Sequence, residues 1–210
     1  MSEKKSLKNH WESSYENEES KLGWYQKSAK ESLDLISKSG VSKNDKIVDI
    51  GSGSSILIDE LIHNGYTNII ATDISEKALE NTKNRLSDNE LKHVSWIIDD
   101  LTNPTKLKML ADIAVWHDRA VFHFLTEGED QQTYFNLLNN AVKSGGHVII
   151  ATFNLNGAEK CSRLPVKRYD ADGIAKFLGD NYQLIDFFDF DYTNPNGDNR
   201  PYVFTLFQKS

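Results

Sequence analysis

The chain has 210 residues, 39% of them hydrophobic and 26% charged, with a formal net charge of −7. This composition suits one globular domain with a sizeable core and argues against a general nucleic-acid binder, which needs clustered Lys and Arg, although a local basic patch stays open. The one cysteine, Cys161, excludes an internal disulfide framework and a cysteine-based structural zinc site.

The histidines show no ligand spacing, so no metal is expected. The opening MSEKKSLKNHWESSYENEES has no apolar signal core, and no apolar run reaches transmembrane length. A cytoplasmic protein with no membrane partner, monomeric or weakly dimeric, is the expectation. Residues 1 to about 22 are polar, with Trp11 and Tyr15 four apart, a spacing that places both rings on one helix face. Trp24, Tyr25, Ala29, Leu33 and Ile36 predict an amphipathic helix over 24–37, stopped by Gly40. Residues 1–40 read as a helical cap segment and 41–210 as the main domain, the two forming one structural domain.

From there strands and helices alternate. Strands are predicted at Lys46–Ile50, Asn68–Thr72, Val94–Ile98, Asp112–Trp116 and His147–Phe153. Helices are predicted over Ser54–Asn64, Glu76–Leu86 with Ser75 as N-cap, Glu129–Lys143 and Tyr169–Leu178. Ser144-Gly145-Gly146 reads as a turn. The tail, Tyr182–Tyr192, then TNPNGDN, then Tyr202–Phe207, reads as a hairpin. The alternation predicts an α/β fold with a doubly wound seven-stranded sheet, mostly parallel, with an antiparallel last strand. Ligands of such sheets bind at the carboxyl ends of the strands.

Three strand ends describe a ligand. Asp49-Ile50-Gly51-Ser52-Gly53 brings flexible backbone close to whatever sits there, although the third glycine of a dinucleotide fingerprint is replaced by Ile56. Asp73 follows Gly53 by about 20 residues, where a carboxylate accepts bonds from ribose hydroxyls; a helix-start carboxylate is the plainer reading. Asp99-Asp100-Leu101 offers an acceptor for an adenine amino group and an apolar cover for the ring, or simply a solvated loop.

IVDIGSGSS, IIATDIS, WIIDDL and KSGGHVIIATF, in that order, resemble the class I S-adenosylmethionine-dependent methyltransferases over about residues 46–153. Ser55 stands where that family most often has glycine, and Ser52 replaces a common cysteine. The resemblance implies S-adenosylmethionine as cofactor, held by Asp49, Gly51, Ser52, Gly53, Asp73, Ile74, Asp100, Leu101 and Trp116. A nicotinamide-binding reading lacks the third glycine and does not suit the terminal hairpin.

AVWHDRAVFHFL, residues 114–125, follows as core that becomes an active-site wall after Val115. Asp118-Arg119-Ala120 followed by an apolar helix is similar to the segment after strand four in thiopurine S-methyltransferases and related thiol methyltransferases. Protein lysine methyltransferases with an Asp-Lys-Gly-Thr segment are the second resemblance, from which Arg119 and Ala120 depart. The side-chain chemistry makes His117 the candidate base, Arg119 the holder of an anionic acceptor or a thiolate, and Asp118 the residue that orients His117, binds the cofactor's ammonium group or caps the next helix. Scaffold pairing of Arg119 with Asp118 or Asp100 is the plainer reading. Trp24, Tyr25, His123, Arg163 and Arg168 are the expected acceptor contacts; His123, on an apolar segment, also reads as a packed histidine, and the last two lie in the cationic stretch NLNGAEKCSRLPVKRYD, which also reads as a solvated loop. A small-molecule acceptor, a thiol or other soft nucleophile, is the first functional expectation. A protein lysine is the second, and a cofactor-binding regulator without catalysis the third.

Overall fold

A computed structural model describes residues 3–210, and the side chains of residues 7–210. Met1 and Ser2, part of the expected cap segment, lie outside the described residues. Two helices precede the sheet, α1 (Glu3–Ser14) and α2 (Lys30–Lys38). The chain then alternates through β1 (Ile47–Ile50), α3 (Leu57–His63), β2 (Ile69–Asp73), α4 (Glu76–Lys83), a one-turn α5 (Asp88–Leu91) and β3 (Val94–Ile98). It continues with β4 (Ile113–Arg119), α6 (Gly128–Ala141) and β5 (Val142–Phe153), then a small hairpin of β6 (Lys160–Cys161) and β7 (Leu164–Pro165). It ends with α7 (Ala171–Leu178), β8 (Tyr182–Thr193) and β9 (Asn199–Lys209).

The sheet has seven strands in the order β3-β2-β1-β4-β5-β9-β8. The first five are parallel; β9 runs antiparallel to β5, and β8 antiparallel to β9. β1 and β2 are buried along their whole length because helices cover both faces, which is why they read as unbroken apolar runs. One face packs Tyr134 and Leu138 of α6 and Ile174 of α7 against Val48, Trp116 and Ile150. The other packs Ile36 of α2, Leu57 and Leu61 of α3 and Leu79 of α4 against Ile47, Val115 and Ile149.

Three segments differ from the sequence expectation. The first amphipathic helix begins at Lys30, leaving Trp24 and Tyr25 in a loop, and the Ala29 N–H donates to Glu60 Oε2 at 2.8 Å at its start. The segment after β4 is one 3-10 turn, Phe122–Phe124, instead of a longer helix. The Ser144–Gly146 turn is an irregular opening of β5: Gly145 has φ +73°, and a Cβ on Gly146 would lie 2.8 Å from the Lys143 carbonyl oxygen. These glycines carry a register shift between Ile113 and Val115 rather than a chain reversal.

Candidate active site

Parallel strands deliver their carboxyl ends to one edge, and the loops after β1, β2, β3 and β4 meet there. The loop after β1 turns through Gly51 and Gly53, with φ +57° and +56°. A side chain at either position would collide with Val121 or with the Tyr15 hydroxyl, at 2.4 and 2.3 Å from the added Cβ. Asp73 holds this loop: its Oδ2 accepts from the Gly53 N–H at 2.9 Å and its Oδ1 from the Ser75 N–H at 2.8 Å. Burial pushes its carboxyl up to about 6, against the pull of those two amides.

After β3, the two carboxylates divide the work. Asp99 Oδ2 accepts the amides of Thr105, Lys106 and Leu107. Against partial burial, these bonds keep it below the usual carboxylate range, so Asp99 organises the loop. Asp100 turns one oxygen to the Thr102 amide and hydroxyl, both at 2.8 Å. Both carboxylates line a cavity of about 230 Å³ with Asp73, Ile74 and Leu101. Its roof comes from far away in sequence: Leu7, Trp11 and Tyr15 of α1, Trp24, and Cys161, Leu164 and Pro165 of the β6–β7 hairpin. His10 Nε2 and Ser162 Oγ, 3.0 Å apart, join α1 to that hairpin.

A smaller cavity adjoins it, lined by Asp49, Gly51, Ser52, Tyr15, Tyr25 and His117. Two buried oxygens there have no partner, Asp49 Oδ2 and Ser52 Oγ. A buried polar atom without a partner is costly; Asp49 Oδ2 can take a donor, and the Ser52 hydroxyl a donor or an acceptor. Arg119 lines both cavities. Its Nη1 donates to the Trp24 carbonyl oxygen at 3.2 Å, while its buried Nε and Nη2 have no protein partner. The guanidinium carbon lies 5.2 Å from the Tyr202 ring centre and 5.5 Å from that of Tyr192.

Strand geometry separates the residues that the sequence reading grouped on β4. Trp116 points to the opposite face, fully buried, and donates to the Tyr134 hydroxyl at 3.0 Å; it does not line the cavity, which corrects its assignment to the cofactor. Asp118 points the same way. Its Oδ1 accepts the Val121 and Phe122 amides and its Oδ2 the Tyr134 hydroxyl at 2.8 Å, the capping alternative among its three expected roles. Burial pushes its carboxyl up to about 6. His117 is buried, with Nδ1 2.6 Å from Asp49 Oδ1 and Nε2 2.8 Å from Ser32 Oγ, so neither ring nitrogen is left for an acceptor's proton. That geometry corrects the general-base assignment. His123 is enclosed between Phe124 and Phe153, with ring centres at 4.5 and 4.7 Å, away from the cavity. Arg168 is held by Glu159 and the Gly157 carbonyl, and Arg163 sits in the hairpin turn; neither lines the cavity. Of the roof, Trp24 was an expected acceptor contact, whereas Leu7, Leu164 and Pro165 were not singled out from the sequence. Trp11 and Tyr15 had the right spacing; nothing local indicated where they would dock.

A family model for a methyltransferase domain matches residues 41–175. The chain belongs to this methyltransferase family. The glycine loop, with the orphaned Asp49 and Ser52 oxygens, fits the polar end of S-adenosylmethionine, the cofactor that the sequence resemblance implies. The chain is 28% identical to a zebrafish (Danio rerio) EEF1A lysine methyltransferase 2, over 64% of this chain and 63% of the relative, so it spans under two thirds of that protein's length. The fold matches a SAM-dependent methyltransferase of Anabaena variabilis with a TM-score of 0.76 at 12% identity, covering 100% of this chain and 96% of the other. It also matches the Burkholderia thailandensis 1,6-didemethyltoxoflavin N1-methyltransferase with a TM-score of 0.68 at 14% identity, covering 87% and 77%. That structure holds S-adenosylhomocysteine and 1,6-didemethyltoxoflavin. The specific thiopurine-type resemblance has no counterpart among these matches.

Proposed function

We propose that this methyltransferase acts on a small acceptor that carries a negative charge, a thiol or other soft nucleophile, beside Arg119. The observation that supports this reading is the half-satisfied guanidinium: Arg119 lines the cavity, and two of its buried N–H-bearing nitrogens have no partner among the described residues. A guanidinium presents parallel donors that match a carboxylate or similar anion, and it lowers the cost of a thiolate. The cofactor supplies an already activated methyl group, so the protein's task is to bind, orient and dry the acceptor. Trp11, Trp24 and Phe124, with ring centres 5.1 to 5.6 Å apart, give the cavity an aromatic wall.

A protein lysine is the second reading, supported by the name of the zebrafish relative. The two readings separate by what is labelled. Purified protein, methyl-labelled S-adenosylmethionine and cell extract are incubated and split through a small-molecule filter. Label in the filtrate, lost in Arg119→Ala while cofactor affinity is kept, is the expected result. Label on protein moves the lysine reading to first place, and binding without transfer points to a regulator. Arg163 remains part of the acceptor proposal only through the hairpin that carries Cys161, and Arg168 only through its bonds to Gly157 and Glu159 before that hairpin.

A further inference from the structure

Asp49 is buried with its two oxygens in different circumstances. Oδ1 meets His117 Nδ1 at 2.6 Å, and Oδ2 has no partner. Asp49 and His117 are direct neighbours in the parallel pairing of β1 with β4, so the sheet itself sets their side chains together. Behind the ring, His117 Nε2 meets Ser32 Oγ of α2 at 2.8 Å, and all three side chains are almost wholly buried.

The chemistry of the partners fixes the protons. A carboxylate only accepts, so Nδ1 carries the hydrogen toward Asp49. In the neutral ring Nε2 then accepts, and the Ser32 hydroxyl donates to it. Each group has one partner and one orientation, and the line ends on Asp49 Oδ2. That oxygen is a lone acceptor beside the glycine loop, in the cavity that Gly51 and Ser52 also line.

We propose that His117 and Ser32 are positioning residues: they form a buried relay that aims Asp49 Oδ2 at the amino-acid ammonium of the cofactor. An ammonium brings three donors and a full charge, and a charge-assisted bond requires the carboxylate to be held in register before the ligand arrives. The relay also ties α2 to cofactor affinity, since Ser32 is its only contribution to this line. The inference rests on cofactor binding and is independent of the acceptor.

Calorimetry with two ligands tests it: S-adenosylhomocysteine, and its deamino analogue in which hydrogen replaces the α-amine. Ser32→Ala and His117→Phe are expected to weaken S-adenosylhomocysteine about tenfold, the scale of a lost hydrogen bond to a charged group. The deamino analogue should bind the variants and the parent alike. His117→Asn places an amide N–H near the former Nδ1 and should recover most of the lost affinity. If both ligands weaken equally, the residues are packing only and the proposal fails. It fails too if Ser32→Ala leaves S-adenosylhomocysteine affinity unchanged. Should His117→Phe not fold, as judged by its thermal melt, Ser32→Ala and His117→Asn decide the question.

Discussion

A fully buried imidazole with both nitrogens unpartnered makes folding depend on pH. His123 is such a group, and burial, with Arg119 adding to it, lowers its value to about 3. The unfolded chain takes up the proton near the ordinary 6.5. The group's stabilising contribution is therefore complete above 6.5 and is lost as pH falls from 6.5 toward 3. Asp73 and Asp118, raised to about 6, act the other way: their contribution is complete below the ordinary 3.8 and fades as pH rises through about 6. The difference between parent and His123→Leu isolates the histidine. Urea unfolding at pH 8 and pH 5 should show the variant gaining about 2 kcal/mol on the parent at the lower pH. Parallel pH profiles would remove His123 from the acid limb. His123 also shows where a residue-by-residue reading stops: its apolar neighbours were legible, but its enclosure by Phe153 was not. Trp116, His117, Asp118 and Arg119 stand side by side in sequence, yet a strand sends alternate side chains to opposite faces. Applying that period to β4 would have removed Trp116 and Asp118 from the site and kept His117 and Arg119.

Helix α4 is capped twice, once from within and once from another element. Ser75 Oγ accepts the Ala78 N–H at 3.1 Å, a cap that the sequence shows. Glu12 of α1 adds the rest, its carboxylate accepting the Glu76 and Lys77 amides at 3.0 and 3.1 Å and the Ser75 hydroxyl at 2.8 Å. An anion at a helix N-terminus meets the positive end of the dipole, so Glu12 fastens α1 where it roofs the cavity. Glu12→Ala should cost about 1 kcal/mol, typical of a lost cap. Hydrogen exchange should quicken in α1 and in the first turn of α4, with the amides of β1 and β4 unchanged. Exchange unchanged in α1 would show that its aromatic contacts alone hold it. The contrast between the two caps explains what was legible. The succession of strands and helices, the glycine loop and Ser75 depend on residues close in sequence. Glu12 lies 64 residues from Glu76, and no periodicity connects them. The start of α2 was misplaced for a related reason: Trp24 and Tyr25 fit a helical face, but they are spent on the cavity instead.

At the scale of the molecule, the sheet and the roof are separable. Among the described residues, the two large core clusters, one on each face of the sheet, contain none before Ala29. α1 belongs to a third, small cluster of Tyr15, Leu22 and Ala78, with Trp11, Trp24 and Tyr25 against it. Removal of residues 1–15 should therefore leave the seven-stranded sheet folded. The expected signs are a native far-ultraviolet spectrum and a Tm lowered by more than about 4 °C, since the Glu12 cap, worth about 1 kcal/mol, is lost together with the packing of Trp11 and Tyr15. Function should suffer more than stability. Tyr15 is packed with its hydroxyl against Gly53, in the loop that Asp73 holds, and Leu7 and Trp11 line the main cavity. Without them the cavity opens to water, and a charge-assisted bond to the cofactor weakens as the local dielectric rises. Calorimetry with S-adenosylhomocysteine should show about a tenfold loss, the scale of one lost contact to a charged group. An unchanged affinity would make α1 a stabilising appendage. Loss of the cooperative melt would mean that the sheet depends on α1 through contacts outside its two main clusters. A folded protein with weakened cofactor binding would establish that the cap completes the site rather than the fold.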